Sequence, residues 1–481
     1  MKETSKKYAW ILTAVIVMLI VIKLPLPESV IKANGGELTL VGRTSLGILL
    51  FCLILWMTEP IPFHITGMFG LILLTIFQVT TFKDAVRTGF GNDTVVFFIG
   101  VLILSSFITR TGLGRRISML ILSKTGNDTR RILLGFLFTG AMIAMWITAM
   151  AAAAIMTPLA VAMVKEEGLK PQKSNFAKAL LISCAWGPLI GGIGTPAGAG
   201  PNQLAIGFIN DMMGINISFL DWMTYGIPAS LTLIIPAWLV LLCFFKPEIR
   251  NLSKDGGKSQ KQYQEMPPIS HDEKATLVVF VLTVILWITS PWLGELMGVT
   301  IPTSLPAMLS GCLLFLPGMT QIKWAEVTKD ISWNGIILIA SGISLGMQVY
   351  NSGAAEWITR ILLGGIAELA PIPMIFLLVL MVSLIKVGLS SNTVTATVII
   401  PIVIELVEFY NLPALGVIMP VSLTLSLAFI LVTSTPTSVI PYGVGYFKIS
   451  DMVRAGVVLT LISSVIMALV IYGIGSLTGI Y

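Results

Sequence analysis

The feature that most limits how this chain can fold is a succession of apolar runs, each long enough to enter or cross a lipid bilayer. The first covers residues 8–26 and follows Lys2, Lys6 and Lys7. No small-residue cleavage pattern comes after it, so it is expected to stay in the protein as a first helix rather than leave as a signal peptide. Further runs fall at 40–57, 61–79, 95–108, 176–209 and 220–245. After a polar stretch they resume at 275–289, 305–316, 335–349, 415–446 and 452–474. A bilayer's hydrocarbon core takes about 20 helical residues to cross. The chain is 55% hydrophobic and 11% charged, with a mean hydropathy of +0.91, which defines a polytopic membrane protein and excludes a soluble globular one.

Two segments do not fit a simple crossing. In Lys386–Val387–Gly388–Leu389–Ser390–Ser391–Asn392–Thr393, hydroxyls and one amide sit between apolar stretches too short to span separately. A helix, a turn and a helix back to the same side fit 372–404, and the same holds for 132–164. Such re-entrant hairpins exist only where protein or a watery cavity surrounds them. The expected fold is therefore all-α and polytopic, with about eleven transmembrane helices, two re-entrant hairpins and two broken helices. The breaks are marked by Gly191, Gly192, Gly194, Gly198 and Gly200 with Pro196 and Pro201, and by Thr433–Ser434–Thr435–Pro436–Thr437–Ser438. Proline removes a backbone donor and clashes with the preceding turn, and glycine admits dihedrals that other residues avoid.

Basic residues orient this layout. Arg110, Arg115, Arg116, Lys124, Arg130, Arg131, Lys165, Lys170, Lys173, Lys178, Lys246, Arg250, Lys254, Lys258, Lys261, Lys274, Lys323, Lys329, Lys448 and Arg454 fall on one side, against Lys32, Lys83, Arg87 and Arg360 on the other. The rule that basic loops stay inside then puts the N-terminus in the cytoplasm and the C-terminus outside, in a cell membrane. The net charge of +6 needs no nucleic-acid partner.

The chain divides into an N-terminal helix and loop (1–39), a first repeat (40–245), a cytoplasmic linker (246–274) and a second repeat (275–481). Corresponding segments recur in order: 95–108 with 335–349, the stretch from Trp146 to Pro158 with that from Leu389 to Pro401, and the Gly-rich break with the Ser/Thr-rich one. Thr148 and Ser391 each lie ten residues before a proline. With one hairpin placed inside and the other outside, the halves are inverted relative to one another. That arrangement recurs in secondary transporters with a midplane site.

Ser390, Ser391, Asn392 and Thr393 offer hydrogen bonds but no strong base and no paired nucleophile, so no catalytic residue is expected. Two histidines and four dispersed cysteines leave no metal-ligand spacing, and no cofactor is expected. Helix starts converging on the midplane would favour a small carboxylate, with hydroxyls and Asn392 or Asn202 orienting it. Lys386 is a basic residue inside a hairpin, where a charge generally faces a cavity or partner, so it is read as a charge-compensating cation near an anion path. An anion channel is the alternative from another class, disfavoured because inverted halves serve alternating access.

Trp56–Met57–Thr58–Glu59–Pro60–Ile61–Pro62, Ser391–Asn392–Thr393 and the GxGTxxGxxPN pattern from Gly192 to Asn202 resemble the divalent anion/sodium symporter family, specifically its dicarboxylate carrier branch. The resemblance covers nearly the whole chain. It implies a homodimer with an elevator mechanism, its scaffold and transport parts interleaving across both repeats, and a C4 or C5 dicarboxylate such as succinate, malate, fumarate or 2-oxoglutarate. Carried over by position, Thr148, Asn202, Ser391, Asn392, Thr393, Thr435, Thr437 and Ser438 become substrate contacts. Gly194, Thr195 and Gly198 would line a cation cage if transport is sodium-coupled. The chain departs from the family pattern at Thr148–Ala149–Met150, where Ser-Asn-Thr is common, and at Thr437–Ser438, where Pro-Asn is usual. Ala149 and Met150 supply no side-chain oxygen. The resemblance therefore leans toward the family's sodium-independent exchangers, with sodium-coupled symport of a dicarboxylate or other divalent anion as the alternative.

Overall fold

In the computed structural model, residues 2–23, 38–252 and 263–480 are described; parts of the N-terminal loop and of the central linker, including Lys32, Lys254, Lys258 and Lys261, lie outside them. Helix α1 (Lys2–Lys23) precedes the first half. That half consists of α2 (Leu40–Thr58), α3 (Phe63–Ile76), α4 (Phe82–Phe90), α5 (Asp93–Arg110), α6 (Leu113–Leu122), α7 (Thr129–Ala144), α8 (Ala149–Glu166), α9 (Asn175–Gly192), a 3-10 turn at Pro196–Gly198, α10 (Gly200–Met213) and α11 (Phe219–Phe244). The second half repeats the order with α12 (His271–Met297), α13 (Ser304–Leu314), α14 (Trp324–Val327), α15 (Trp333–Asn351), α16 (Ala354–Leu362), α17 (Gly364–Ala367), α18 (Pro371–Gly388), α19 (Asn392–Phe409), α20 (Ala414–Thr424), a 3-10 turn at Val432–Ser434, α21 (Pro436–Tyr442) and α22 (Ile449–Thr478).

Among the described residues, nine helices have the length and apolar character of a crossing, and α8, α18 and α19 of these are hairpin arms. The six others, with α15, the shorter apolar α3 and α13, and the two broken helices, make about eleven crossings. Counted along these crossings, α12 is the fifth after its counterpart α2. An odd number places equivalent helices in opposite directions, so the repeats are inverted.

The packing carries the same symmetry. Contacts come in pairs that exchange the halves: α3 packs on α15 as α13 packs on α5, and α8 on α21 as α19 on α10. A two-fold relation between the halves requires this. It extends to single atoms at the breaks. A side chain at Gly226 of α11 would stand 2.4 Å from the Ile193 carbonyl oxygen, and one at Gly456 of α22 would stand 2.2 Å from that of Phe429. Each break thus turns a carbonyl against a glycine of the following helix. Small residues also let α9 settle onto α7, where a Cβ on Gly191 would lie 2.0 Å from the Ala141 carbonyl oxygen.

The halves are joined through Trp287 of α12, which is buried, stacks on Phe219 of α11 at 4.3 Å between ring centroids and lies 5.8 Å from Phe97 of α5. Ion pairs tie elements that the basic-residue pattern assigns to one end: Arg110 to Glu326 and Asp330, Arg116 to Glu273 in two hydrogen bonds of 2.8 and 3.0 Å, and Lys178 to Asp451. At the same end the linker caps α9. Glu248 accepts hydrogen bonds from the Ser174 hydroxyl and, at 3.0 Å, from the Phe176 N–H. Partial desolvation works against its charge, but these donors outweigh it and hold the carboxyl below its ordinary value of 4.5. Among the cysteines, Cys52 and Cys184 are buried packing residues, and Cys243 and Cys312 are exposed; all are free thiols.

Candidate functional site

The chain leaves helical geometry at four places within its apolar helices: the turns after α7 and α18, and the breaks after α9 and α20. All four contribute to the wall of one cavity of ≈ 700 Å3. Thr148, Ala149 and Met150 come from the first hairpin tip, and Gly198, Ala199 and Gly200 from the first break. Ser390, Ser391, Asn392 and Thr393 come from the second tip, and Thr433, Ser434, Thr435 and Thr437 from the second break. Four helices, α8, α10, α19 and α21, begin at this wall.

The local sequence explains why they begin there. Thr148 Oγ1 accepts from the Ala151 N–H at 3.3 Å and Ser391 Oγ from the Val394 N–H at 3.4 Å, so each hairpin returns through the same N-cap. Thr435 accepts from the Thr437 N–H in the same way, whereas α10 starts at Gly200 and Pro201 with no side-chain cap. The first N–H groups of a helix lack intrahelical partners and carry partial positive charge. The cavity therefore combines backbone donors, hydroxyls and the amides of Asn334 and Asn392 with an apolar flank from Phe98, Leu102 and Ile339.

A hydrogen-bonded path crosses from one half to the other. Asn392 Nδ2 donates to the Ser426 carbonyl at 3.5 Å, and the Ser426 hydroxyl donates to Asn202 Oδ1 at 3.3 Å. Asn202 Nδ2 donates in turn to the carbonyls of Gly192 at 2.8 Å and Thr195 at 2.9 Å. Asn202 is thus fully buried behind the wall, where it satisfies carbonyls freed by the break. Thr195 is also enclosed; its hydroxyl donates to the Met145 carbonyl and accepts from the Ala197 N–H at 3.2 Å. Gly194 lies in the same enclosed turn, while Gly198 reaches the cavity.

The structure brings Thr148, Ser391, Asn392, Thr393, Thr435 and Thr437 together at the wall. Ser438 is completely buried and its hydroxyl has no hydrogen-bond partner among the described residues. Lys386 stands behind the second tip, 4% exposed, and its Nζ donates to the Thr424 carbonyl at 3.0 Å, at the C-terminal end of α20.

Several wall residues were absent from the sequence-based site. Ser426 has no sequence mark to separate it from a packing serine in an apolar run. Glu59 and His64 line the cavity with Ser332 and Asn334. Glu59 has a left-handed backbone (φ 48°) immediately before Pro60 of the Trp56–Pro62 motif.

Two inverted halves, each with a re-entrant hairpin and a broken helix closing on one solute-sized cavity, define the architecture of a secondary transporter. Residues 5–479 match the model of the sodium:sulfate symporter transmembrane region, and the chain belongs to that family. It is a multi-pass membrane transporter rather than an enzyme. It is 32% identical over 446 residues to the sodium-dependent dicarboxylate transporter SdcS of Staphylococcus saprophyticus, with 89% of this chain and 85% of that protein covered. It is 30% identical, with the same coverage, to the SdcS of Staphylococcus aureus strain USA300. Among solved structures it is similar in fold to the Alcanivorax borkumensis YdaH transporter, with a TM-score of 0.55 and 13% identity over 83% of this chain and 88% of that one. It is likewise similar to Neisseria gonorrhoeae MtrF, with a TM-score of 0.54 and 14% identity over 97% and 94%.

Proposed function

We propose that this protein exchanges C4 or C5 dicarboxylates across the cell membrane without sodium coupling. The observation that carries this reading is the convergence of both hairpin tips and both breaks on one cavity whose lining amides, Asn334 and Asn392, and most of whose hydroxyls come from the second half. A cavity of ≈ 700 Å3 accommodates a small diacid. Asn392, Ser391 and Thr393 bind one carboxylate, and Thr435 and Thr437 the other, while the starts of α8 and α10 add backbone dipole. Thr148 closes the opposite wall. Ser438 and Asn202 shape the breaks from behind.

The oxygens at the first break argue against sodium there. The Gly192 and Thr195 carbonyls are occupied by the Asn202 amide, and the Met145 carbonyl by the Thr195 hydroxyl. Ala149 and Met150 bring no side-chain oxygen. The donor set around Gly194, Thr195 and Gly198 does not suit a hard cation that needs several free oxygens. Lys386 supplies the positive charge instead: among the described residues it has no carboxylate partner, so a bound dianion is the counter-charge for an ammonium held in an apolar interior.

Exchange then proceeds as the unit of α7–α10 and α18–α21 moves against a scaffold that holds the interface of a homodimer, with the N-terminus cytoplasmic and the C-terminus outside. Sodium-coupled uptake is the second reading, favoured by the printed names of the Staphylococcus relatives. Counterflow in proteoliposomes separates the two. Labelled succinate should enter only vesicles preloaded with unlabelled dicarboxylate, equally with and without sodium. Sodium-driven accumulation in empty vesicles would overturn exchange.

A further inference from the structure

A second concavity, distant in chemistry from the central cavity, lies where α6, α7 and α11 meet. It is a groove of ≈ 400 Å3 walled by Leu134 and Phe138 of α7, Leu231, Ile234 and Ile235 of α11, and Ile121 of α6. Phe138, Leu231 and Ile235 are 39 to 48% exposed along it, and nothing among the described residues covers them. A crossing helix such as α11 leaves such a strip to the hydrocarbon of the membrane.

One end of the groove is different. Lys124 and Arg131 stand at its rim, both exposed, and neither side chain makes an ion pair or hydrogen bond among the described residues. Asp128, the nearby carboxylate, is turned away: it caps α7 through the N–H groups of Arg130 and Arg131 and faces Arg250. Trp238 Nε1 donates to the Arg130 carbonyl at 2.8 Å and sets an indole at this end of α11. Tryptophan and basic side chains mark the level where hydrocarbon gives way to headgroups. The rim thus offers two uncompensated cations at headgroup depth, and the groove behind it offers an apolar path into the bilayer.

We propose that an anionic glycerophospholipid occupies this groove, with its phosphate between Lys124 and Arg131 and an acyl chain along Phe138, Leu231 and Ile235. Charge selects the headgroup, since a zwitterionic lipid brings its own cation to a rim that already has two. Each basic residue at a membrane surface is worth about fivefold in binding an anionic lipid. The groove joins a hairpin arm to the helix that follows the first break, so the lipid is held at a seam of the fold.

The test is native mass spectrometry of the full-length protein released from vesicles of equal phosphatidylglycerol and phosphatidylcholine. The wild-type protein should retain phosphatidylglycerol in preference to phosphatidylcholine. Lys124→Gln combined with Arg131→Gln should lower phosphatidylglycerol retention about 25-fold and leave phosphatidylcholine unchanged. Leu231→Trp, which fills the groove and keeps both charges, should also release the lipid while the thermal unfolding midpoint in detergent stays at the wild-type value. Equal phosphatidylglycerol retention in the wild type and either variant would overturn the proposal. So would displacement of the lipid by inorganic phosphate alone, which would assign the rim to a free anion.

Discussion

The two hairpin tips hold equivalent places and differ in chemistry. Each is an N-cap facing the same cavity, with Thr148 and Ser391 making the same hydrogen bond to the third residue of the returning helix. The residues that follow are Ala149 and Met150 in one and Asn392 and Thr393 in the other. The breaks differ likewise: a buried amide closes the first, whereas Ser438, without a hydrogen-bond partner among the described residues, lies in the second and a lysine is bonded to the helix end before it. Symmetry of backbone with asymmetry of side chains fits the proposal that the fold uses the interruptions in both halves while the solute meets polar side chains mainly in one.

The largest expected effect falls on the first break. Asn202→Leu strips two buried carbonyls of their donor and should cost about 1–3 kcal/mol for each, read as a lower unfolding midpoint in detergent. A midpoint equal to wild type would mean that the break does not depend on this amide.

Next comes the lysine of the second break. Lys386→Gln should reduce succinate exchange about tenfold without reducing membrane insertion, and Lys386→Arg should restore part of it. Unchanged exchange across a full substrate titration would remove the charge-compensating role.

A smaller effect contrasts the start of α9 with that of its repeat counterpart α20, which has no side-chain cap. Because the Glu248 carboxyl is held below its ordinary value, its contribution to stability is present above the unfolded value of 4.5 and is lost as pH falls through the folded one. Glu248→Gln should therefore lower stability at neutral pH and flatten its fall on the acid side, so that the two proteins converge at low pH. An identical acid slope in both proteins would contradict this. The smallest loss belongs to Ser438→Ala, which removes a buried hydroxyl with no partner among the described residues and should leave the unfolding midpoint unchanged or raise it; a loss matching that of Asn202→Leu would erase the contrast between the breaks.

Much of this architecture is legible in the sequence because the bilayer leaves few options. Apolar runs of spanning length give the helices, and clusters of Gly, Pro, Ser and Thr inside them give the breaks and tips. The order of those clusters gives the repeat. What the residues do at the breaks was harder to read. Asn202 reads as a solute contact but faces inward, because carbonyls released by the Gly-rich turn need a donor more than the cavity does. Ser426 and His64 reach the wall through tertiary placement alone, and neither periodicity nor composition distinguishes such residues from packing or loop positions.

The central claim is that the second tip, and not the first, supplies the decisive polar contact to the solute. Equilibrium binding of succinate in sodium-free detergent solution, measured by calorimetry on Asn392→Ala and Met150→Ala, tests it most directly. The account predicts affinity about 5- to 150-fold weaker for Asn392→Ala, the equivalent of about 1–3 kcal/mol, and within about twofold of wild type for Met150→Ala. Wild-type affinity in Asn392→Ala, or an equal loss in both variants, would contradict it.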